Sequence, residues 1–552
     1  MKITHPDPDV TILYTLDGSE PRIENLTGRV WNYKKQYPTN GEALGPLLQD
    51  TIWTYEYTDP ILVRDRSNEP DRYADISASY YTNYWYNSMA KPDSVNVFKG
   101  AVLRGATYLN GVYSRTITVN YFISPQGQSR YSLPVTCLNI DPEKFFSYEN
   151  GLNVPGILFD EWRMNNPTEL IDSWVPANFR AEGVSSEVEP NFTYLVDGKE
   201  VLNHSIGLHL HGNGSKYFPN RSYRLYAKSE YGKSNFSYSF FDNYPLNKFK
   251  RIILRNSGND CVETMFRDAF IYQASKKLYS DIQEYQPTIL FVNREYFGLY
   301  NIRERFDDKY FEIKYGIEVN DLDFLEKSGE IKEGDDQSYN SLIIYLENNS
   351  LTVKENYDYI STLIDINNFT DYFITEIFIS DIDWPANNTV YWRKKTAYDS
   401  IAPYGHDGRW RWLLKDLDYS FGYRWDGLSY EFDDLSYVSN ISSTDTNLNK
   451  ATLIFRSLIK NDFYRNYFIN RFSDILNTTY KSNLLISKIN EIKEKIAPEM
   501  REHIERWSPQ NEQFLSFHPV YSYYKWESNV DKMRTFAEYR PYWVRNHIQD
   551  RF

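Results

Sequence analysis

The chain has only two cysteines, Cys137 and Cys261, in 552 residues. So few, so far apart in sequence, make neither a disulfide framework nor a thiolate metal site. Long apolar runs are absent as well, and no transmembrane segment is expected. The opening MKITHPDPDV has no apolar signal-peptide core, so the protein is either cytosolic or starts after its export signal. Dense Asn, Ser and Tyr usage favours an extracellular or cell-surface protein. Positive charge is in deficit: 61 basic residues face 75 acidic ones, a formal charge of −14, a poor match to nucleic acid. Methionine is scarce, at 6 residues against 49 tyrosines. Tyrosine buries a ring while keeping its hydroxyl wet, which suits strand surfaces and binding grooves. The length exceeds one ordinary hydrophobic core, so two or three domains are expected.

Residues 9–15, DVTILYT, alternate as a strand and run into the turn signal Asp17-Gly18-Ser19-Glu20-Pro21. Residues 101–123 alternate Thr, Val and aromatics around an Asn110-Gly111 turn. Between them lies a polar, proline-punctuated stretch. The pattern predicts a small antiparallel sandwich over 1–124 with a long insertion at 22–100, closed by the polar linker 124–129. Strands are then predicted at 131–140, 205–213, 222–232, 249–258, 288–293 and 296–306, with one prominent helix from Asp260 to Leu278. Beyond this the chain reads as helical, with helices at 334–346, 355–365, 369–380, 450–477, 484–504 and 530–540 and strand-like pieces at 389–394 and 409–418. A sheet-rich 130–306 followed by a helical 307–552 describes a two-lobed α+β enzyme.

The sharpest local feature is Asp381-Ile382-Asp383-Trp384-Pro385-Ala386-Asn387-Asn388, followed by Lys415-Asp416-Leu417-Asp418-Tyr419-Ser420-Phe421-Gly422. Pro385 stops the preceding helix from continuing. Carboxylates on two short loops beside strands can converge on one ion. Mg²⁺ takes oxygen ligands, commonly one or two carboxylates completed by substrate phosphates and water. Asp383, Asn388, Asp416 and Asp418 supply that donor set. Their spacing follows the logic of a kinase catalytic loop and metal loop, although His-Arg-Asp and Asp-Phe-Gly are both missing. Taken singly, each of these residues is equally a turn-capping side chain.

Counter-charges come from the first half: Arg221, Arg224 and Lys228 on or beside one strand, then Arg255 and Arg267, with Glu304 in Arg303-Glu304-Arg305. Arg224 and Lys228 share a strand face that Arg221 does not. The bland alternative for Arg267, Asp268 and Glu304 is a set of salt bridges. His209 and His211 alternate on one strand face and could bind zinc, but no third ligand stands at a convincing spacing, and satisfied histidines beside a turn are the simpler reading.

The N-terminal segment resembles the small immunoglobulin-like domain found beside chitobiase and hexosaminidase catalytic domains, through ILYTLDGSEP at 12–21 and the closing strand near 112–122. Residues 131–545 resemble the spore coat protein H (CotH) kinase-like family. The resemblance rests on HLHGNGSKYFPNRSYRLYAKSEYG (209–232), LRNSGNDCVETMFRDAF (254–270), NREYFGLYNIRERFDDKY (293–310), DIDWPANN (381–388) and KDLDYSFG (415–422). It implies a multidomain chain: an immunoglobulin-like sandwich, then an atypical protein-kinase-like domain that binds ATP and Mg²⁺ and phosphorylates Ser or Thr of a surface or secreted protein. It places Asp383 at the catalytic position, Asn388 and either Asp416 or Asp418 on metal, and Glu304 near the nucleotide hinge. Arg221, Arg224, Lys228 and Arg267 are the cations for the nucleotide. Arg221 stands where the family often carries lysine. The rival readings are an inactive kinase-like adhesion protein and, behind it, a carbohydrate-active enzyme whose paired carboxylates would flank a sugar cleft. The N-terminal domain is then a spacer, or a contact for carbohydrate or surface protein.

Overall fold

The computed structural model describes residues 1–37, 45–80, 96–127, 130–183, 186–423, 430–440, 446–508, 520 and 522–552. Gln128 and Ser129 of the expected linker, and parts of the 22–100 insertion, lie outside the described residues. The chain forms two compact units. One comprises Met1–Glu263, Gln286–Arg303 and Lys495–Trp526; the other comprises Thr264–Tyr285, Glu304–Glu494 and Glu527–Phe552.

The first unit is sheet-rich. Near its N-terminus the strands Tyr55–Glu56, Thr11–Thr15, Ala101–Leu109 and Val112–Tyr113 lie side by side, with Ile117–Tyr121 also paired to Ala101–Leu109, all antiparallel. The turn read at Asp17 is built by its carboxylate, which accepts from Ser19 N at 3.1 Å. Gly18 sits at φ 90°, and a Cβ there would meet Asn293 Oδ1 at 2.1 Å, so this position needs glycine on two counts. The insertion contributes the hairpin Arg29–Tyr33 with Leu48–Ile52. It is pinned where Glu295, fully buried, accepts from the backbone N–H groups of Arg72, Tyr73 and Ala74 at 2.8, 2.9 and 2.6 Å.

An eight-stranded sheet follows, in the order Lys199–Ser205, Asn191–Val196, Val135–Asn139, Tyr285–Val292, Glu295–Glu304, Arg251–Arg255, Ser222–Tyr226, Gly207–His211. Only Val135–Asn139 and Tyr285–Val292 run parallel among the pairings described. Two short helices not foreseen in the sequence, Pro142–Phe146 and Gly156–Asn165, accompany it. The helix expected from Asp260 begins only at Arg267, because Met265 takes φ 73° just before it.

The second unit is mixed α/β rather than helical. Its helices include Gln337–Asn348, Lys354–Leu363 and Ile366–Ile379, close to the expected spans, and Asp308–Tyr315, which is not foreseen in the sequence. The expected 450–477 helix is two, Thr446–Leu458 and Asp462–Asn477, because Asn461 caps the second by accepting from Tyr464 N at 3.0 Å. A four-stranded antiparallel sheet, in the order Glu330–Glu333, Leu322–Glu326, Val390–Lys394, Arg411–Leu413, is the feature the sequence hid. Its strand Leu322–Glu326 buries Asp323, which Arg393 Nε meets at 2.9 Å. A charged residue bonded inside the sheet breaks the apolar pattern by which strands are read. The core on this sheet is aromatic, with Phe311, Phe324 and Trp392 packed together.

Candidate active site

Two loops leave the same end of the second unit's sheet. Val390 pairs with Leu413 across antiparallel strands, so the residues before Val390 and those after Leu413 lie at one edge. The first loop is delivered by the helix Ile366–Ile379, which Asp365 caps by accepting from Asn368 N at 3.3 Å. The helix is buried almost throughout and ends as Ser380 turns left-handed at φ 55°. Two of its last-turn carbonyls, Ile377 O and Phe378 O, accept from Arg540 Nη2 and Nε at 2.6 and 2.9 Å. Asp381 Oδ1 then accepts from Asp383 N at 2.9 Å, and Asp383 O accepts from Asn387 N at 3.2 Å. Trp384 anchors the loop from below, its Nε1 donating to Tyr372 Oη at 3.0 Å.

The second loop starts at Asp416, φ 58°, whose N–H donates to Tyr272 Oη at 3.1 Å. Only Arg411–Leu413 of the expected 409–418 strand is extended, since the left-handed Asp416 ends it. Phe421 plugs the loop into the core, 4.8 Å from the ring of Phe270 and 4.5 Å from that of Phe536. Arg267 is fully buried and donates from Nη1 to Phe421 O at 2.7 Å and Ser420 O at 3.3 Å. Its described bonds therefore support the loop's backbone.

Three hydrogen bonds join the loops: Phe421 N to Ile379 O at 2.7 Å, Ile382 N to Tyr419 O at 3.2 Å, and Asn388 Nδ2 to Asp416 O at 3.4 Å. Asp383, Asn388, Asp416 and Asp418 thus share one neighbourhood. Ser380, Asn388, Asp416 and Phe421 all have positive φ, so left-handed non-glycine residues gather at these two loops. Such conformations persist where the surrounding structure enforces them.

Several carboxyls of these loops repel one another. Burial pushes the Asp383 carboxyl up, and the Asp416 carboxylate pushes it further. Asp381 is raised well above the usual carboxylate range by burial and by the like charges of Glu376, Asp383 and Asp418. Glu376 is raised by burial and by Asp434. Asp381 Oδ2 and Glu376 Oε2 are buried with no hydrogen-bond partner among the described residues. Among the described residues, the groups that raise Asp381, Asp383 and Glu376 are carboxylates, acting together with burial.

Asp383, Asn388, Asp416 and Asp418 are donor types that a divalent cation takes. The donors are hard oxygens, as Mg²⁺ requires. Among the described residues no group of three or more His, Cys, Asp or Glu forms a metal cage. A carboxylate-and-amide site completed by phosphate oxygens is the Mg²⁺ alternative to such a cage. His209 and His211 do not compete for it: His209 Nε2 is 2.7 Å from Glu187 Oε2, and His211 Nδ1 accepts from Arg224 Nε at 3.0 Å.

A carboxyl whose folded pKa is raised favours folding at low pH and loses that contribution as pH rises through the folded value. For Glu376 the loss therefore falls above the ordinary carboxylate range. Glu376→Gln is expected to raise the melting temperature at about pH 8 and leave it nearly unchanged at about pH 4, where both forms are neutral. Thermal melts of the two proteins across this range check it.

The family model described as CotH kinase protein matches residues 208–544, more than half of the chain. The chain belongs to the CotH kinase family. No curated protein matches it. Both acidic loops fall inside the CotH match, as do Arg221, Arg224, Lys228, Arg267 and Glu304, whereas the N-terminal antiparallel sheet falls outside it.

The basic residues of the CotH region differ in their surroundings. Arg221 is fully buried. Its Nη1 donates to Asn153 O at 3.0 Å, and Nε and Nη2 donate to Lys216 O and Ala78 O. Burial, with no carboxylate bonded to it among the described residues, pushes the Arg221 guanidinium down to about 9. These donors serve the fold, so Arg221 is not the exposed phosphate cation its position in the motif suggested. Arg224 and Lys228 reach solvent, Lys228 Nζ standing 2.6 Å from Glu187 Oε1. Glu304 is buried and accepts from Glu284 N at 3.1 Å.

Sequence reasoning singled out neither Asp381 nor Arg540 as part of the site. Asp381 stands inside the quoted motif and gave a signal, an acid at i−2 from Asp383. Arg540 gave none, being more than 150 residues downstream in a charged helix.

Proposed function

We propose that this CotH-family chain is an Mg²⁺-dependent atypical protein kinase that transfers the terminal phosphate of ATP to a Ser or Thr hydroxyl of a surface or secreted protein. The observation that supports the reading is the pair of hydrogen-bonded loops that gathers Asp383, Asn388, Asp416 and Asp418, with the Asp383 carboxyl raised by burial and by Asp416. In this reading residues 1–124 are an immunoglobulin-like accessory domain that contacts carbohydrate or protein, 130–306 the sheet-rich lobe and 307–552 the mixed α/β lobe of a kinase-like fold.

Asn388 and Asp418, with Asp416, would hold the metal, which when bound offsets the negative charge of the phosphate oxygens. Asp383 does the chain's own chemistry. Its carboxylate orients the acceptor hydroxyl and takes its proton as the new oxygen–phosphorus bond forms and the bond to ADP breaks. A raised carboxyl is the better proton acceptor, because its affinity approaches that of the group it must deprotonate. Arg224 and Lys228 are the proposed cations for the nucleotide phosphates.

Incubation with Mg²⁺ and terminally labelled ATP tests this. Labelled Ser or Thr, on the chain itself or on a generic acceptor protein, is the expected result. ATP bound without transfer would favour an inactive kinase-like binding protein, and absence of ATP binding would remove the kinase reading altogether.

A further inference from the structure

The second unit carries a group of lysines that the proposed chemistry does not use, at the sheet edge from which the two acidic loops leave. The strands Leu322–Glu326 and Glu330–Glu333 form a hairpin. Glu326 pairs with Val390, so the hairpin's turn lies at the edge where Asn388 and Thr389 enter the sheet. The turn is bonded to that loop: Lys327 N donates to Thr389 O at 2.7 Å, and Tyr391 Oη donates to Lys327 O at 3.2 Å. Lys415 reaches the same edge two residues after the strand Arg411–Leu413 and directly before Asp416.

Glu326 gathers the lysines. Its Oε1 meets Lys332 Nζ at 2.6 Å and its Oε2 meets Lys415 Nζ at 2.8 Å. Burial raises the Glu326 carboxyl, but Lys415 and Lys332 outweigh it and hold the group below its usual range, so the bridge is ionised at neutral pH. Glu330 in turn meets Lys332 Nζ at 3.0 Å and Lys327 Nζ at 3.4 Å. Three ammonium groups thus share two carboxylates, and one positive charge is left over. The ammonium groups also stay within reach of a ligand: Lys327 is 48% exposed, and Lys332 and Lys415 are each 37% exposed. Each has three donors, and the ion pairs described occupy one or two of them. In a chain of formal charge −14, this surplus stands against the average.

We propose that Lys327, Lys332 and Lys415 form a subsite for an acidic side chain of the acceptor protein, an Asp or Glu near the Ser or Thr that receives phosphate. The inference deepens the kinase reading and rests on it. A surplus of one charge suits a single carboxylate. The phosphates of a nucleotide would bring several negative charges against Glu326 and Glu330, and their proposed cations are Arg224 and Lys228. The lysines also offset the repulsion that Asp383, Asp416 and Asp418 would exert on an acidic acceptor.

Three fluorescein-labelled Ser-containing peptides test this on the full chain without ATP, one flanked by Asp and Glu, one by Asn and Gln, one by Lys. Anisotropy at low salt is expected to show about five- to tenfold tighter binding of the acidic peptide than of the neutral one, a difference that shrinks as salt rises. Lys327→Gln with Lys332→Gln is expected to bind the two alike, because Lys415 then faces Glu326 and Glu330 alone. Lys327→Glu with Lys332→Glu is expected to prefer the Lys-flanked peptide, a reversal that a disturbed fold would not produce. Equal binding of acidic and neutral peptides by the unsubstituted chain would overturn the proposal, as would an acidic preference that survives the paired Gln substitutions. Weaker ATP binding by the paired Gln variant with the peptide preference intact would overturn it too, by assigning the lysines to the nucleotide. The kinase reading fails separately: an acidic preference in binding with no phosphate transfer keeps the subsite and removes the kinase.

Discussion

Asp383→Ala is expected to lower phosphate transfer from ATP by about a thousandfold while leaving the melting temperature within a few degrees of the parent. The magnitude is that of removing a positioned general base together with its alignment of the acceptor hydroxyl. The fold should tolerate the change for three reasons. Asp383 is only partly buried. The loop is held by its backbone, through Asp383 N to Asp381 and Asn387 N to Asp383 O. The substitution also relieves the repulsion from Asp416. Labelled-phosphate transfer at saturating ATP, beside a thermal melt, separates the two effects. A parallel loss of transfer and of folding would mean that Asp383 is a structural residue. ATP affinity is expected to change little, because the proposed cations for the nucleotide lie elsewhere in the chain.

Arg540→Met is expected to destabilise the second unit by about 3–5 kcal/mol, the usual result of breaking a buried charge pair from one side. Arg540 is fully buried and joins Asp434 Oδ2 at 2.6 Å, Phe432 O at 2.6 Å, Tyr430 O at 2.9 Å and the carbonyls of Ile377 and Phe378. Methionine fills similar volume but donates nothing, so five acceptors lose an N–H donor and Asp434 loses the charge of Arg540. Glu376, already raised by Asp434, would be raised further. The site should suffer through geometry, since the last turn of Ile366–Ile379 sets the path of 381–388. Denaturant titration measures the stability loss. Transfer by whatever fraction stays folded reports the displacement of the loop, and unchanged stability would contradict the bonding described.

The two acidic loops were legible because their chemistry is local. Asp383, Asn388, Asp416 and Asp418 are close together in two short stretches, next to a proline that stops a helix and beside strands with clear apolar runs. The hairpin around Asn110-Gly111 and the turn at Asp17 were legible for the same reason, their signals being written within a few residues. Arg221 misled. A motif arginine beside a strand reads as a phosphate ligand, yet nothing within the motif reveals that Asn153 and Ala78, about 70 and 140 residues upstream, supply carbonyls that take its donors. The strand Leu322–Glu326 misled in the opposite way, its buried Asp323 being made tolerable by Arg393 across the sheet.

The sequence by itself determined the family, the acidic donor set and the turns at Asp17 and Asn110, all of which depend on residues near one another along the chain. Tertiary structure decided the rest. It joined the two loops by hydrogen bonds, left one buried oxygen each of Asp381 and Glu376 without a partner among the described residues, and set Arg267 and Arg540 to hold backbone. Each outcome turns on whether a polar atom meets water or a distant partner, and burial of that kind is fixed only when remote segments pack.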